Sequence, residues 1–297
     1  MPVNFKKVKK ILWIILFANT AVAVLKVIVG SIINSSSMIA DGFHSFTDGS
    51  SNIVALIGVH FASKPIDEDH PYGHGKFEML AGLFIAGMLF MLSGKIILDA
   101  AKRIFDPVLP DITLESLLVL LFTLIVNIFV SSFEYKAGKK LNSQILISDS
   151  MHTRSDIFIS IGVLAALIGI KLGLPPIVDP LLSFIVAGFI IHTAYEIFTA
   201  NSDILVDRVA VDANKIKEIV LSFAEVKDVH KIRSRGSSND LHIDMHIMTE
   251  PSLSVEESHE LIHQIEDKIK YELNKNVQLI AHIEPYKIKR RQKNANN

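Results

Sequence analysis

Apolar residues form six long runs over the first two-thirds of the chain, then short groups with strand or helix spacing over the last third. The runs cover about 11–33, 38–62, 77–101, 117–133, 147–172 and 177–197. About 20 apolar residues in a helix cross the hydrocarbon layer of a bilayer, so these runs predict six membrane-spanning helices. Lys26 falls towards the far end of the first, where a long stem lets an ammonium snorkel. The fourth carries no charge, and Pro175-Pro176 introduces the sixth. After about residue 204 the texture changes. Residues 211–224 have the spacing of an amphipathic helix starting near Asp212, and 255–273 predict a second, with Glu256 and Glu257 in its first turns. Residues 226–233, 241–248 and 277–283 predict strands, the second alternating Leu-x-Ile-x-Met-x-Ile. The order α-β-β-α-β suits a small α+β domain, ferredoxin- or metallochaperone-like, with helices on one sheet face. The expected architecture is a six-helix, all-α membrane domain over 1–204, an α+β domain over 205–288, and a basic, disordered tail over 289–297.

Composition agrees with that division, because 49% hydrophobic residues coexist with 21% charged ones. The net charge of −1 lacks the basic footprint of a nucleic-acid binder. With no cysteine, disulfides and thiolate metal sites are excluded, which leaves 12 histidines and the carboxylates as ligands. The basic MPVNFKKVKK is followed by an apolar run longer than a signal-peptide core, so it reads as the inside flank of a spanning helix. Cytoplasmic loops are rich in Lys and Arg. An N-inside arrangement leaves Lys6, Lys7, Lys9, Lys10, Lys64, Lys76, Lys136, Lys139 and Lys140 inside, and Lys102, Arg103 and Lys171 outside. Both termini are then cytoplasmic, and the second and fifth helices run antiparallel.

Those two helices carry a repeat. Asp41-Gly-Phe-His44-Ser-Phe-Thr-Asp48 returns as Asp149-Ser-Met-His152-Thr-Arg-Ser-Asp156, with Asn19 echoed at Asn127 and Asn34-Ser35 at Asn142-Ser143. His44 and Asp48, like His152 and Asp156, are four apart and share a helix face. Ionisable groups inside apolar helices are costly and mark function. Two imidazoles and two carboxylates form a tetrahedral set for a divalent metal, the transport site of a membrane zinc carrier. An inverted repeat puts such a site at the bilayer midplane. Asp41 and Asp149, three residues before each histidine, read as outer ligands, as partners that orient the imidazoles, or as helix-start carboxylates. Asp67, His70 and His74 gather three possible ligands in one loop, and His242 and His246 share a strand face. His259-Glu260-Leu261-Ile262-His263 is a literal H-E-x-x-H, the pattern of zinc proteases. The alternating charge around it suits a solvated face instead. His60 and His192 read as packing histidines.

These motifs, in this order, resemble the cation diffusion facilitators over residues 10–288. The resemblance rests on HSFTD in the second run, HTRSD in the fifth, and DEDHPYGHGK between the second and third. It implies proton-coupled export of Zn²⁺ by a homodimer with six spans and a cytoplasmic α+β domain. The family's transport ligands fall on His44, Asp48, His152 and Asp156, and its loop site on Asp67, His70 and His74. Its cytoplasmic sites fall near His230, His246, His259, His282 and Glu284, with His242 a further possibility. Lys76 and Asp207 match a charge pair linking the two parts near the dimer axis. Some relatives have aspartate where His44 stands, which accompanies cadmium tolerance, so histidine implies zinc preference. Glu284 stands where aspartate is common.

The expectation is therefore a transporter and not an enzyme, lying in a bilayer such as a bacterial inner membrane. It exchanges cytoplasmic Zn²⁺, or a related divalent metal, for protons, and zinc also binds the cytoplasmic domain. The alternatives are a membrane-anchored zinc protease using His259, Glu260 and His263, and a membrane metal sensor that carries nothing.

Overall fold

The computed structural model describes residues 4–32, 49–105, 114–175, 177–237 and 240–286. Asp41, His44, Asp48 and the tail 289–297 lie outside the described residues. The chain divides into two units, the first reaching Leu205 and the second starting at Val206.

The first unit is all helix: α1 (Phe5–Ile32), α2 (Ser50–Ala62), α3 (Lys76–Phe105), α4 (Leu114–Leu141), α5 (Gln144–Lys171) and α6 (Val178–Leu205). Five of these are long and apolar enough to cross a membrane, and the described part of the second run is the shorter apolar α2. Large apolar side chains face outward, including Phe17, Met91 and Phe129. That outward face is what lipid tails solvate, since they give helices no reason to bury Leu or Phe. Helix contacts use small residues instead. Gly58 lies so close to Ala81, and Gly82 to Asn201, that a Cβ at either glycine would overlap its neighbour. Two apolar clusters knit the unit, one of α1, α2, α3 and α5 around Leu12, Val59, Ile85 and Leu146, the other of α3 and α6 around Leu89, Ile190 and Ile197.

Two helix limits differ from the apolar runs in ways that matter. Helix α4 continues past Phe133 to Leu141, and α5 starts at Gln144 rather than 147. The α4 extension, Glu134 to Leu141, is largely polar, so a hydropathy reading stops short of it, whereas the α5 extension adds Gln144 and the buried apolar Ile145 and Leu146. The connection between them is two residues, with Asn142 left-handed at φ 52°, a conformation Asn tolerates better than other side chains. The start of α5 is capped from another helix: the buried Glu78 of α3 accepts hydrogen bonds from Ser143 Oγ and from the Ile145 amide, the latter at 3.0 Å. That satisfies donors a helix start otherwise leaves open. Helices α3 and α6 are likewise longer than their apolar runs, ending at Phe105 and Leu205.

The second unit runs α7 (Ala213–Leu221), β1 (Val226–Gly236), β2 (Leu241–Thr249), α8 (Val255–Leu273) and β3 (Val277–Pro285). The sheet order is β1-β2-β3, with β1–β2 antiparallel and β2–β3 parallel. Alternation in β2 sends Leu241, Ile243, Met245 and Ile247 into a core with Ile216 and Val220 of α7 and Leu261, Ile265 and Ile269 of α8. Helix α7 is shorter than its amphipathic stretch because Asp212 is its N-cap, accepting from the Asn214 amide at 2.9 Å. Helix α8 has the predicted limits, fixed by a capping box between Ser254 and Glu257 at one end and left-handed Asn274 at the other.

Candidate metal-binding sites

Polar residues recur at helical spacing on the inner faces of the first unit. Thr123, Asn127, Ser131 and Glu134 line one face of α4, and Asn19, Val22 and Lys26 one face of α1. With α5 they enclose a cavity of about 300 Å³, whose wall includes Asn19, Lys26, Thr123, Asn127, His152 and Asp156. His152 Nδ1 lies 3.9 Å from Asp156 Oδ2, one turn along the same face of α5. This half of the repeat opens on a cavity inside the helices, as a carried ion requires. The other half, His44 and Asp48, falls outside the described residues.

Lys26 corrects the sequence reading. Its side chain is 7% exposed and faces the cavity rather than snorkelling. Asp149 is fully buried and accepts from Asn52 Nδ2 and from Ser51. Glu134 was missed altogether: the apolar run ended one residue before it, although the four-residue spacing of Thr123, Asn127 and Ser131 points to it. It is fully buried beside Thr153 and Asp149.

Between α2 and α3 the loop folds Asp67, His70 and His74 together, their ligand atoms lying within 4.8 Å of one another. His70 donates its backbone amide to Asp67 Oδ1 at 2.8 Å, and its Nδ1 is 2.9 Å from the same oxygen. His74 Nε2 is 3.3 Å from Oδ2, with its ring buried against Phe77. The His70 hydrogen bond holds the Asp67 carboxyl below its usual range. His74 Nδ1 is buried without a hydrogen-bond partner among the described residues. Two imidazoles and a carboxylate so close, one ring nitrogen unsatisfied, fit a divalent transition metal.

In the second unit the sheet register makes a site. His230, His246 and His282 occupy one cross-strand row, and Glu284 lies two residues beyond His282 on the same face. Glu284 reaches His246 Nδ1 at 2.7 Å and His230 Nε2 at 3.5 Å, and His282 Nε2 is 4.0 Å away. Hydrogen bonding from His246, reinforced by the other imidazoles, holds the Glu284 carboxyl low.

Other expected ligands stand apart. His259 is not in this row within one chain. It pairs with His263, Nε2 to Nε2 at 3.1 Å, and with Glu260 it lies on the exposed face of α8. His242 turns to Asp240 at 3.3 Å. Asp207 pairs with Arg235 at 3.4 Å, and Lys76 opens α3. His60 stacks edge-on to Phe61, and His192, exposed, pairs with Glu196.

Residues 12–206 match the family model described as the cation efflux transmembrane domain, and 210–286 match the cation efflux protein cytoplasmic domain. An uncharacterized transporter of Methanocaldococcus jannaschii is 33% identical over 260 residues, 86% of this chain and 91% of its own. The manganese efflux system protein MneP of Bacillus subtilis is 28% identical, over 94% and 96% of the two chains. Metal tolerance protein 2 of Oryza sativa subsp. japonica is 31% identical, over 90% of this chain and 76% of its own. These matches remove the protease reading of His259, Glu260 and His263. The chain belongs to the cation efflux family, the cation diffusion facilitators, and is an integral, multi-pass membrane transporter of divalent metal ions.

Proposed function

We propose that this protein exports Zn²⁺ from the cytoplasm in exchange for protons, working as a homodimer with both termini cytoplasmic. The observation that carries the reading is the pair of buried His152 and partly buried Asp156, open to a cavity among apolar helices. His44 and Asp48, its counterparts in the sequence repeat, complete a tetrahedral set. Two aspartates and two neutral imidazoles around Zn²⁺ are formally neutral, which removes much of the cost of a dication in a low-dielectric interior. Once the ion leaves, the carboxylates lose that compensation and protonation becomes favourable. Since ligands must be deprotonated to bind metal, each ion and its protons compete for the same atoms.

In the N-inside arrangement Arg103 lies on the side with few basic residues. It is held by Asp179 at 2.8 Å, and the nine basic residues on the other side outweigh it with Lys102 and Lys171. Asp67, His70 and His74 would hold a regulatory ion, and so would His230, His246, His282 and Glu284. His259, exposed on α8, is free to reach such a row in a second copy of the chain.

A second reading, Mn²⁺ as the cargo, is favoured by the similarity to a manganese efflux protein. Imidazole nitrogens suit zinc better, whereas manganese favours oxygen ligands. The test is metal flux into proteoliposomes holding the full-length protein, with Zn²⁺ and Mn²⁺ supplied separately and together under an imposed pH gradient. Zinc flux that responds to the gradient, and that excess manganese does not suppress, is the expected result. Manganese flux with no zinc flux would transfer the proposal to manganese.

A further inference from the structure

Behind the cavity wall, α4 and α5 hold a carboxyl pair outside the four expected transport ligands: Asp149, which opens the second copy of the repeat, and Glu134, which the repeat does not include. Glu134 and Asp149 are both fully buried. Glu134 Oε2 lies 3.2 Å from Thr153 Oγ1, whereas Glu134 Oε1 has no hydrogen-bond partner among the described residues. Asp149 Oδ2 accepts from Asn52 Nδ2, whereas Asp149 Oδ1 also lacks a partner among them. The two carboxyl groups lie within hydrogen-bonding reach of each other.

Two carboxylates cannot donate to one another, so the contact is short of one hydrogen. A buried acceptor without a donor is costly, and two adjacent negative charges away from water are costlier. One proton between the groups supplies the missing donor and reduces their joint charge from two to one, and the titration then belongs to the pair. The groups facing the pair are Ser51 and Asn52 from α2, Thr153 beside it on α5, and the charges of His152 and Asp156 through space.

The pair also has a path to the cavity. Asn19 Nδ2 donates to Asn52 Oδ1 at 2.9 Å, and Asn52 donates in turn to Asp149. Asn19 at one end and Thr153 at the other both line the cavity. The polar chain Asn19–Asn52–Asp149–Glu134–Thr153 thus begins and ends at the wall that the metal faces.

We propose that Glu134 and Asp149 share one proton, and that this proton leaves for the cavity when a dication enters and returns when the ion departs. The inference rests on the proton-exchange reading and adds a proton-carrying site separate from the metal ligands. Charge balances at each step: the pair goes from −1 to −2 as the nearby site gains two positive charges, and the reverse change follows release.

The experiment reads zinc flux and internal pH together in proteoliposomes of the full-length protein. Glu134→Gln is the informative change, since an amide keeps the shape and supplies the missing donor but cannot release a proton. The expected result is a fall of about one in protons moved per zinc. An unchanged ratio in Glu134→Gln, beside a gradient-responsive wild type, overturns the proposal and leaves exchange standing. Wild-type flux indifferent to the pH gradient overturns the exchange reading itself. Infrared spectra of the metal-free protein in lipid keep the proposal open to failure even if the variant does not fold. Wild type should have a protonated-carboxyl C=O band that shifts in D₂O and disappears on adding zinc. Absence of that band, or an undiminished band in a folded Glu134→Gln or Asp149→Asn, overturns the proposal, since the transport carboxylates Asp48 and Asp156 account for only part of it.

Discussion

In the helical unit Glu134, Asp149 and His152 are buried while Phe17 and Phe129 face outward. In the sheet unit Leu241, Ile243, Met245 and Ile247 are buried, and the imidazoles of His230 and His246 stand half-open on the opposite face. The difference follows from the solvent. Lipid gives apolar side chains no reason to turn inward, so helices meet through small residues and the interior is free to hold polar groups that act on an ion. Water forces the sheet unit to spend its interior on Leu and Ile, so its ligands must sit on a surface. A carried ion belongs in the first setting, being hidden from both sides of the membrane. An ion that reports cytoplasmic concentration belongs in the second.

Asp156→Ala should bring metal flux to the level of protein-free vesicles, a larger loss than the roughly 10- to 100-fold cost of losing a partner that merely orients a ligand. Flux measurements on folded, reconstituted variant check this. Next in size is a contrast of cores. Ile243→Ala should cost about 2–5 kcal/mol in unfolding of the sheet unit, whereas Phe129→Ala, although it removes a whole ring, should stay within about 0.5 kcal/mol because that ring is 72% exposed. Denaturant titration in detergent, followed by probes in each unit, reads both.

Glu284→Gln should weaken zinc binding to the sheet unit by about tenfold or more, equivalent to about 1.4 kcal/mol. Isothermal titration of the full-length protein measures it, with the cavity site blocked by Asp156→Ala. Ser254→Ala, which removes the α8 capping box, should cost about 1 kcal/mol and speed hydrogen exchange in the first turn of α8. Glu257 gives this prediction a pH sign. Its hydrogen bonds from Ser254 hold its carboxyl below the ordinary value of 4.5. A carboxyl depressed in the folded state binds fewer protons there than when unfolded, so its stabilisation is complete above that ordinary value. The benefit fades as pH falls through the lower folded-state value, and Ser254→Ala should flatten this acid limb.

Much of this arrangement is legible in the residues. Spanning helices announce themselves because hydropathy is their main requirement, and β2 does so because its alternation must match one buried face. The loop cluster and the sheet row were also within reach, since Asp67, His70 and His74 are close in sequence and strand register aligns His230 with His246 and His282. Helix ends were not. An apolar run stops where polarity begins, whereas the hydrogen-bonded helix continues, and this hid Glu134. Lys26 was misread for a related reason: snorkelling depends on which face a side chain takes, and only packing against α4 and α5 makes that face a cavity wall. The separation of His259 from the sheet row is a matter of how α8 lies on the sheet, which no short-range spacing encodes.

The most direct test of the account is zinc accumulation in proteoliposomes under an imposed pH gradient, wild type beside Asp156→Ala, with an internal zinc indicator. The account predicts accumulation that reverses direction with the gradient in wild type and is lost in Asp156→Ala. Gradient-driven accumulation that survives in Asp156→Ala would contradict the claim that the cavity pair carries the exchange.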